Sequence, residues 1–210
     1  MRENFPFLDP PEHSPSNEAA FSVVAVGSSA GGVGALGRLF SSIPADFSAA
    51  FVVVQHLDPR HRSLIVEIID RRTMLTVDYA TDGSRIAAGT ILFAPPNRHL
   101  LVNADGSVSL TETELVHFVR PSADLLFDSV AAAFRQRAIA VVLTGSGTDG
   151  AWGVQAIKKM GGTVIVEDQR TAEFTGMPTA AIQTGCADFI LPLDEIGPAL
   201  VSLVVRGAPG

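Results

Sequence analysis

Four short, almost unbroken apolar runs constrain this chain more than anything else in it: "SVVAV" (22–26), "AAFVVV" (49–54), "AIAVVL" (138–143) and "TVIVE" (163–167). A strand with one wet face alternates polar and apolar residues. A continuous β-branched run is buried on both faces, which is the environment of a parallel sheet between layers of helices. The intervening segments "GGVGALGRLFSSI", "SLIVEIIDRR", "SADLLFDSVAAAFRQ" and "AWGVQAIKKM" carry apolar residues at three- and four-residue spacing, with basic residues toward several C-terminal ends. They read as the covering helices. The expected fold is α/β, a three-layer, doubly wound, mostly parallel sheet. From about Val77 to Leu115 the alternation breaks, and "HLLVNADGSVSLTE" reads as a hairpin turning at Asp105-Gly106. An antiparallel hairpin extension is expected there.

With 210 residues, 47% hydrophobic and 18% charged, the chain suits a single core, and residues 21–210 read as one domain. Residues 1–20, rich in Pro, Ser, Asn and Glu, read as a flexible arm in which Phe5, Phe7 and Leu8 are able to dock. A formal charge of -7 and 15 scattered basic residues argue against nucleic acid as a partner. No basic-then-apolar leader is visible, and no apolar run approaches the roughly 20 residues that span a bilayer. Cys186 is the only cysteine, so no intramolecular disulfide forms, and "TGCADFI" gives it no neighbouring base. A cytoplasmic protein without direct membrane insertion is expected.

Chemistry concentrates in three loops. Gly27-Ser28-Ser29-Ala30-Gly31 matches G-x-S-x-G between a strand and a helix, the context that lifts a serine oxygen out of a tight turn. A helix cap is the plain alternative for Ser29. A dinucleotide turn fails, because G-x-G-x-x-G needs glycine at position 29 and the strand 51–54 runs into Gln55 and His56 rather than an acid. A serine hydroxyl is a poor nucleophile near neutrality, so it needs a base, and His56 follows the second strand at the same sheet edge. A metal reading of His56, Asp58 and His61 lacks a second cluster of ligands, so neither metal nor cofactor is expected. In "VVLTGSGTDGAWG", Asp149 lies in the glycine-rich loop after a third strand, where turn chemistry alone would also account for it. Together the loops supply attacker, base and orienter. Their chain order, Ser, His, Asp, differs from the Ser, Asp, His of the common serine-hydrolase fold.

The set "VVAVGSSAGG", "VVVQHLDPRHRS", "ILFAPPNRHL", "RPSADLLFDSVA", "VVLTGSGTDGAWGVQAIKKMGG" and "EFTGMPTAAIQTG" resembles the catalytic domain of CheB-type chemotaxis protein-glutamate methylesterases over roughly residues 21–205. "QHLDPRHRS" and "APPNRHL" resemble most closely the version fused to methyltransferases. The resemblance implies a serine hydrolase that demethylates glutamyl methyl esters on chemoreceptors or related signalling proteins, and in some members deamidates glutamines. It implies Ser29 as nucleophile, His56 as base and Asp149 as orienting acid, with a methyltransferase as a further partner. Ala30 stands where many members have threonine and Ser146 where many have methionine, so backbone N–H groups near Ala30, Ser146 and Gly147 would serve the oxyanion. Met177 and Pro178 read as a loop bordering the cleft or as a helix start with proline in its first turn. Twenty residues cannot supply the receiver domain many members carry, so a free-standing or excised domain is expected. A non-catalytic binding module on the same fold is the alternative.

Overall fold

Burial on both faces fixes the centre of the molecule. In the computed structural model, which describes residues 21–57 and 63–206, every residue of β1 (Val23–Ser28), β2 (Ala50–Gln55) and β7 (Ala138–Val142) is buried. The arm expected over residues 1–20 lies outside the described residues. Between these strands come α1 (Gly32–Ser41), α2 (Ile65–Asp70), β3 (Thr76–Tyr79), β4 (Thr90–Phe93), β5 (His99–Val102), β6 (Val108–Thr111) and α3 (Ala123–Phe134). After β7 follow α4 (Ala151–Lys159), β8 (Thr163–Glu167), α5 (Gly176–Gln183), β9 (Phe189–Leu191) and α6 (Leu193–Arg206). The main sheet has the order β3-β4-β2-β1-β7-β8-β9, and all its pairings are parallel. This is the expected α/β architecture.

Side-chain alternation along the strands feeds two cores. Val23 and Ala25 of β1 face the side covered by α3, α4 and α5, with Leu126, Phe127, Val130 and Met177. Val24 and Val26 face α1, α2 and α6, with Leu36, Phe40, Ile196 and Leu200. The hairpin of β5 and β6 forms as expected, but as a separate two-stranded sheet. Its Leu100, Val102 and Val108 belong to the same core as the α3 side chains, so apolar burial, not ladder pairing, attaches it. In the same stretch, β3 and β4 extend the parallel sheet instead.

The register positions the site. Val23 pairs with Ala50 and Ser28 with Gln55, while Gly27 pairs with Val142. Ser29 and His56 therefore sit one step beyond partnered residues on adjacent strands. The chain winds from β1 toward β2 on one side and from β7 toward β8 on the other. The switch between β1 and β7 opens a crevice at the strands' C-terminal ends, where ligands bind in open α/β sheets.

The start of α3 rests directly on β1. A Cβ at Gly27 would stand 2.8 Å from the Ala123 Cβ and 3.2 Å from Phe127 Cζ. Gly27→Ala is expected to destabilise the protein by about 1–3 kcal/mol through overpacking, measured by denaturant unfolding.

Candidate active site

A buried carboxylate organises this crevice. Asp149 lies in the β7–α4 loop, 3% exposed. Its Oδ1 accepts hydrogen bonds from Ser122 Oγ (2.8 Å) and the Asp124 N–H (3.1 Å), and its Oδ2 accepts from the Ala123 N–H (2.6 Å). These groups are the cap and first residues of α3, so the charge also meets the positive end of that helix. The His56 Nε2 lies 2.8 Å from Asp149 Oδ2. Burial alone would raise the Asp149 pKa, but the His56 ring and the α3 N–H groups outweigh it and hold it below the ordinary value. An ionised Asp149 accepts from Nε2–H, which leaves Nδ1 as the basic nitrogen of the ring.

Asp124, in the first turn of α3, returns the favour to α4: its Oδ1 accepts from the N–H groups of Trp152 (2.9 Å) and Gly153 (2.7 Å). Asp149 thus caps the helix that contains Asp124, and Asp124 caps the helix that follows Asp149. Among the described residues Asp124 Oδ2 is buried without a hydrogen bond, and the His117 Nδ1 stands 3.5 Å from it. Burial raises the Asp124 pKa, and the neighbouring Asp149 charge adds to the rise against the Gly153 and Trp152 N–H groups. The cap of α3 is itself fixed by buried His99 of β5. Its Nδ1 accepts from the Ser122 N–H (3.1 Å) and its Nε2–H donates to the Glu114 carbonyl (3.1 Å). Burial lowers the His99 pKa and keeps it neutral in this role.

Ser29 leaves β1 half-buried at the mouth of the crevice. Its N–H donates to the Thr144 carbonyl (3.1 Å), which ties the elbow to the β7 loop. Its own carbonyl accepts from Gln55 Nε2 (2.7 Å), which also donates to the His56 carbonyl (2.9 Å), while Gln55 Oε1 accepts from Ser28 Oγ (2.7 Å). Gln55 thereby couples the backbones carrying Ser29 and His56. Among the described residues no hydrogen bond joins Ser29 Oγ to the His56 ring, a bond that is often long before substrate arrives. A Cβ at Gly145 would lie 2.9 Å from the Ser29 Cβ and would strike Met177 Sδ. Only glycine lets the β7 loop approach the elbow so closely.

The remaining candidates divide. Ala30 sits in the turn before α1, and Ser146 and Gly147 are on the β7 loop, Ala30 half-buried and the latter two exposed. Among the described residues, no hydrogen bond engages the Ala30 or Ser146 N–H. Met177 is different: it is fully buried beneath Gly145, its N–H is committed to the Gly145 carbonyl (2.9 Å), and it belongs to α5, with Pro178 in the first turn. It supports the β7 loop from below. Buried Glu167 at the end of β8 holds that loop too, accepting from the Thr144 N–H (2.8 Å). Asp58 and His61 lie outside the described residues. Among the described residues no group of three His, Cys, Asp or Glu is placed to hold a metal, and no helix is long and apolar enough to cross a membrane.

Sequence reasoning did not single out Gln55, His99, Ser122, Asp124 or Glu167. Ser122 alone left a local signal, a serine immediately before a helical pattern. The others act through residues distant in the chain.

Comparison with known proteins gives a consistent answer. Residues 24–200 match the family model described as CheB methylesterase. A protein-glutamate methylesterase/protein-glutamine glutaminase 1 of Cupriavidus pinatubonensis is 42% identical over 198 residues, covering 93% of this chain and 58% of the relative. One from Symbiobacterium thermophilum is 37% identical over 185 residues, covering 88% of this chain and 51% of its own length. The chain therefore spans only about half to three-fifths of these relatives. The crystal structure of the Thermotoga maritima CheB methylesterase catalytic domain superposes with a TM-score of 0.84 at 37% identity, covering 88% of this chain and 99% of that one.

The paired acids give the site a pH signature. Asp149, depressed in the fold, contributes stability above its unfolded value that is lost as pH falls through its folded value. Asp124 is raised, so its contribution is present below its unfolded value and is lost as pH rises through its folded value. Asp124→Asn keeps an oxygen for the α4 N–H groups and removes the charge. The melting temperature of Asp124→Asn relative to the parent should therefore climb from about pH 4, the ordinary carboxylate value, upward and level off only above the raised folded value. A gap independent of pH would refute this.

Proposed function

This chain belongs to the CheB methylesterase family, and on that premise we propose that it hydrolyses glutamyl methyl esters on a methylated chemoreceptor or related signalling protein, with deamidation of glutamines as a second reaction of the same site. The observation that carries the reading is the buried hydrogen bond between His56 and Asp149 beside Ser29. Asp149 also caps α3, so its burial alone does not decide the matter; what disfavours the non-catalytic alternative is that the similar curated proteins are named as methylesterases and the similar solved structure is a methylesterase catalytic domain.

In the proposed cycle, His56 Nδ1 takes the Ser29 proton while Ser29 Oγ attacks the ester carbonyl. Asp149 remains ionised and stabilises the imidazolium. The N–H groups of Ala30 and Ser146 receive the developing oxyanion, with no side-chain hydroxyl at position 30 to assist. The proton then passes from His56 to the departing methanol. Water, deprotonated by the same nitrogen, attacks the acyl-serine, and as the intermediate collapses His56 returns that proton to Ser29 Oγ, freeing the glutamate and regenerating both side chains. Glutamine would follow the same path with ammonia leaving. The substrate implies a methyltransferase that installs the ester, and we assign both activities to the cytoplasm.

Ser29→Ala is expected to abolish methanol release from a methylated receptor cytoplasmic fragment and to leave the unfolding transition in place. Asp149→Asn should reduce the rate by about 10⁴, the loss typical when a triad acid becomes an amide and the histidine tautomer is wrong. It should also lower the melting temperature, because the new NH₂ group would face either the Ser122 and Asp124 donors, in place of Oδ1, or the Ala123 donor, in place of Oδ2. Unchanged methanol release in either variant would overturn the reading.

A further inference from the structure

We propose that Phe118, held at the tip of a strained turn beside His56, is a specificity-determining residue that grips an apolar side chain of the polypeptide flanking the ester; this rests on the hydrolase reading above. Phe118 is 94% exposed, the most exposed of the large hydrophobic residues described. Its position is not an accident of a loose loop. The N–H of Val116 donates to the Val119 carbonyl (3.1 Å) and the N–H of Val119 to the Val116 carbonyl (2.9 Å), which closes a two-residue turn. The central residues, His117 and Phe118, have φ of +48° and +68°. Such turns ordinarily take Asn and Gly, because a side chain at positive φ crowds the backbone. A phenylalanine there is strained, and strain of this kind persists where surrounding structure enforces it and clusters at functional sites.

The enforcement is visible. Arg120 donates from Nη1 to the carbonyls of Glu112 and Thr113 (both 2.7 Å), and from Nε and Nη2 to Asn97 Oδ1 (3.0 and 2.8 Å). On the other side, the His117 ring meets Trp152 edge-on, with centroids 4.8 Å apart. The tip is therefore braced by both the hairpin side and α4. Between it and the catalytic base lies a cavity of about 400 Å³ lined by His56, Leu57, Leu115, Phe118 and Val119, among others. That volume exceeds what an ester methyl group fills and suits a larger apolar group. A protein substrate brings such a group; a small ester does not.

The test compares two substrates, a methylated receptor cytoplasmic fragment and N-acetylglutamate γ-methyl ester, a small ester with no flanking side chain, each followed by methanol release. For Phe118→Ala and Phe118→Gly, KM for the fragment should rise about tenfold or more with kcat little changed, as for loss of a hydrophobic contact. Hydrolysis of the small glutamate ester should stay at the parent level, and Phe118→Leu should recover part of the loss. Phe118→Gly removes the side chain that strains the turn, so its melting temperature should not fall, which separates recognition from folding. With an active parent, an unchanged KM for the fragment, or an equal loss on both substrates, overturns the role of Phe118 alone. A parent that cleaves only the small ester overturns the substrate reading, and one that cleaves neither overturns the hydrolase reading; each takes this proposal with it.

Discussion

The buried charge of Asp149 is what the rest of the site is built around. A carboxylate removed from water is costly unless every lone pair finds a donor. Here three donors come from the start of α3 and the fourth from the His56 ring. That requirement dictates where α3 begins and how closely it lies on β1 at Gly27. It also explains why the hairpin matters, since His99 at the start of β5 holds the Ser122 N–H. Asp124 completes the arrangement by capping α4, so the helices on either side of the Asp149 loop are locked to one another. Moving any one of these elements would leave a buried polar group unmatched.

The sheet does a different job. Parallel register alone carries Ser29 and His56 to neighbouring positions, because Ser28 and Gln55 are partners on β1 and β2. Gln55 then ties the two turns by their carbonyls. Recognition is left to the irregular segment between β6 and α3, where loop conformation is not dictated by the ladder. Precision therefore resides in strands and helix starts, and selectivity in the braced turn at Phe118.

Much of this was legible in the residues. The apolar runs identified β1, β2, β7 and β8, and three loops at one sheet edge contained Ser29, His56 and Asp149. The strands β3, β4 and β9 were not legible, being only three or four residues long. The helix α6 was hidden by Gly197-Pro198, which reads as a break although Pro198 lies inside the helix. Gln55, His99 and Asp124 have no local signature, because each joins distant segments: Gln55 reaches Ser29, 26 residues away, His99 reaches Ser122, 23 away, and Asp124 reaches Trp152, 28 away. Met177 and Pro178 read either as a loop bordering the cleft or as a helix start; the helix α5 forms, and Met177 is buried against the β7 loop at Gly145.

In the proposed cycle, Asp149 fixes one tautomer of His56, with Nε2 protonated and Nδ1 free for Ser29. A ¹⁵N NMR spectrum of the two ring nitrogens at alkaline pH measures this directly. A pyrrole-type Nε2, with its proton in a strong hydrogen bond, and a pyridine-type Nδ1 are expected, a pattern lost when Asp149 is replaced by Asn. A proton on Nδ1 instead, or a His56 spectrum indifferent to that replacement, would contradict it.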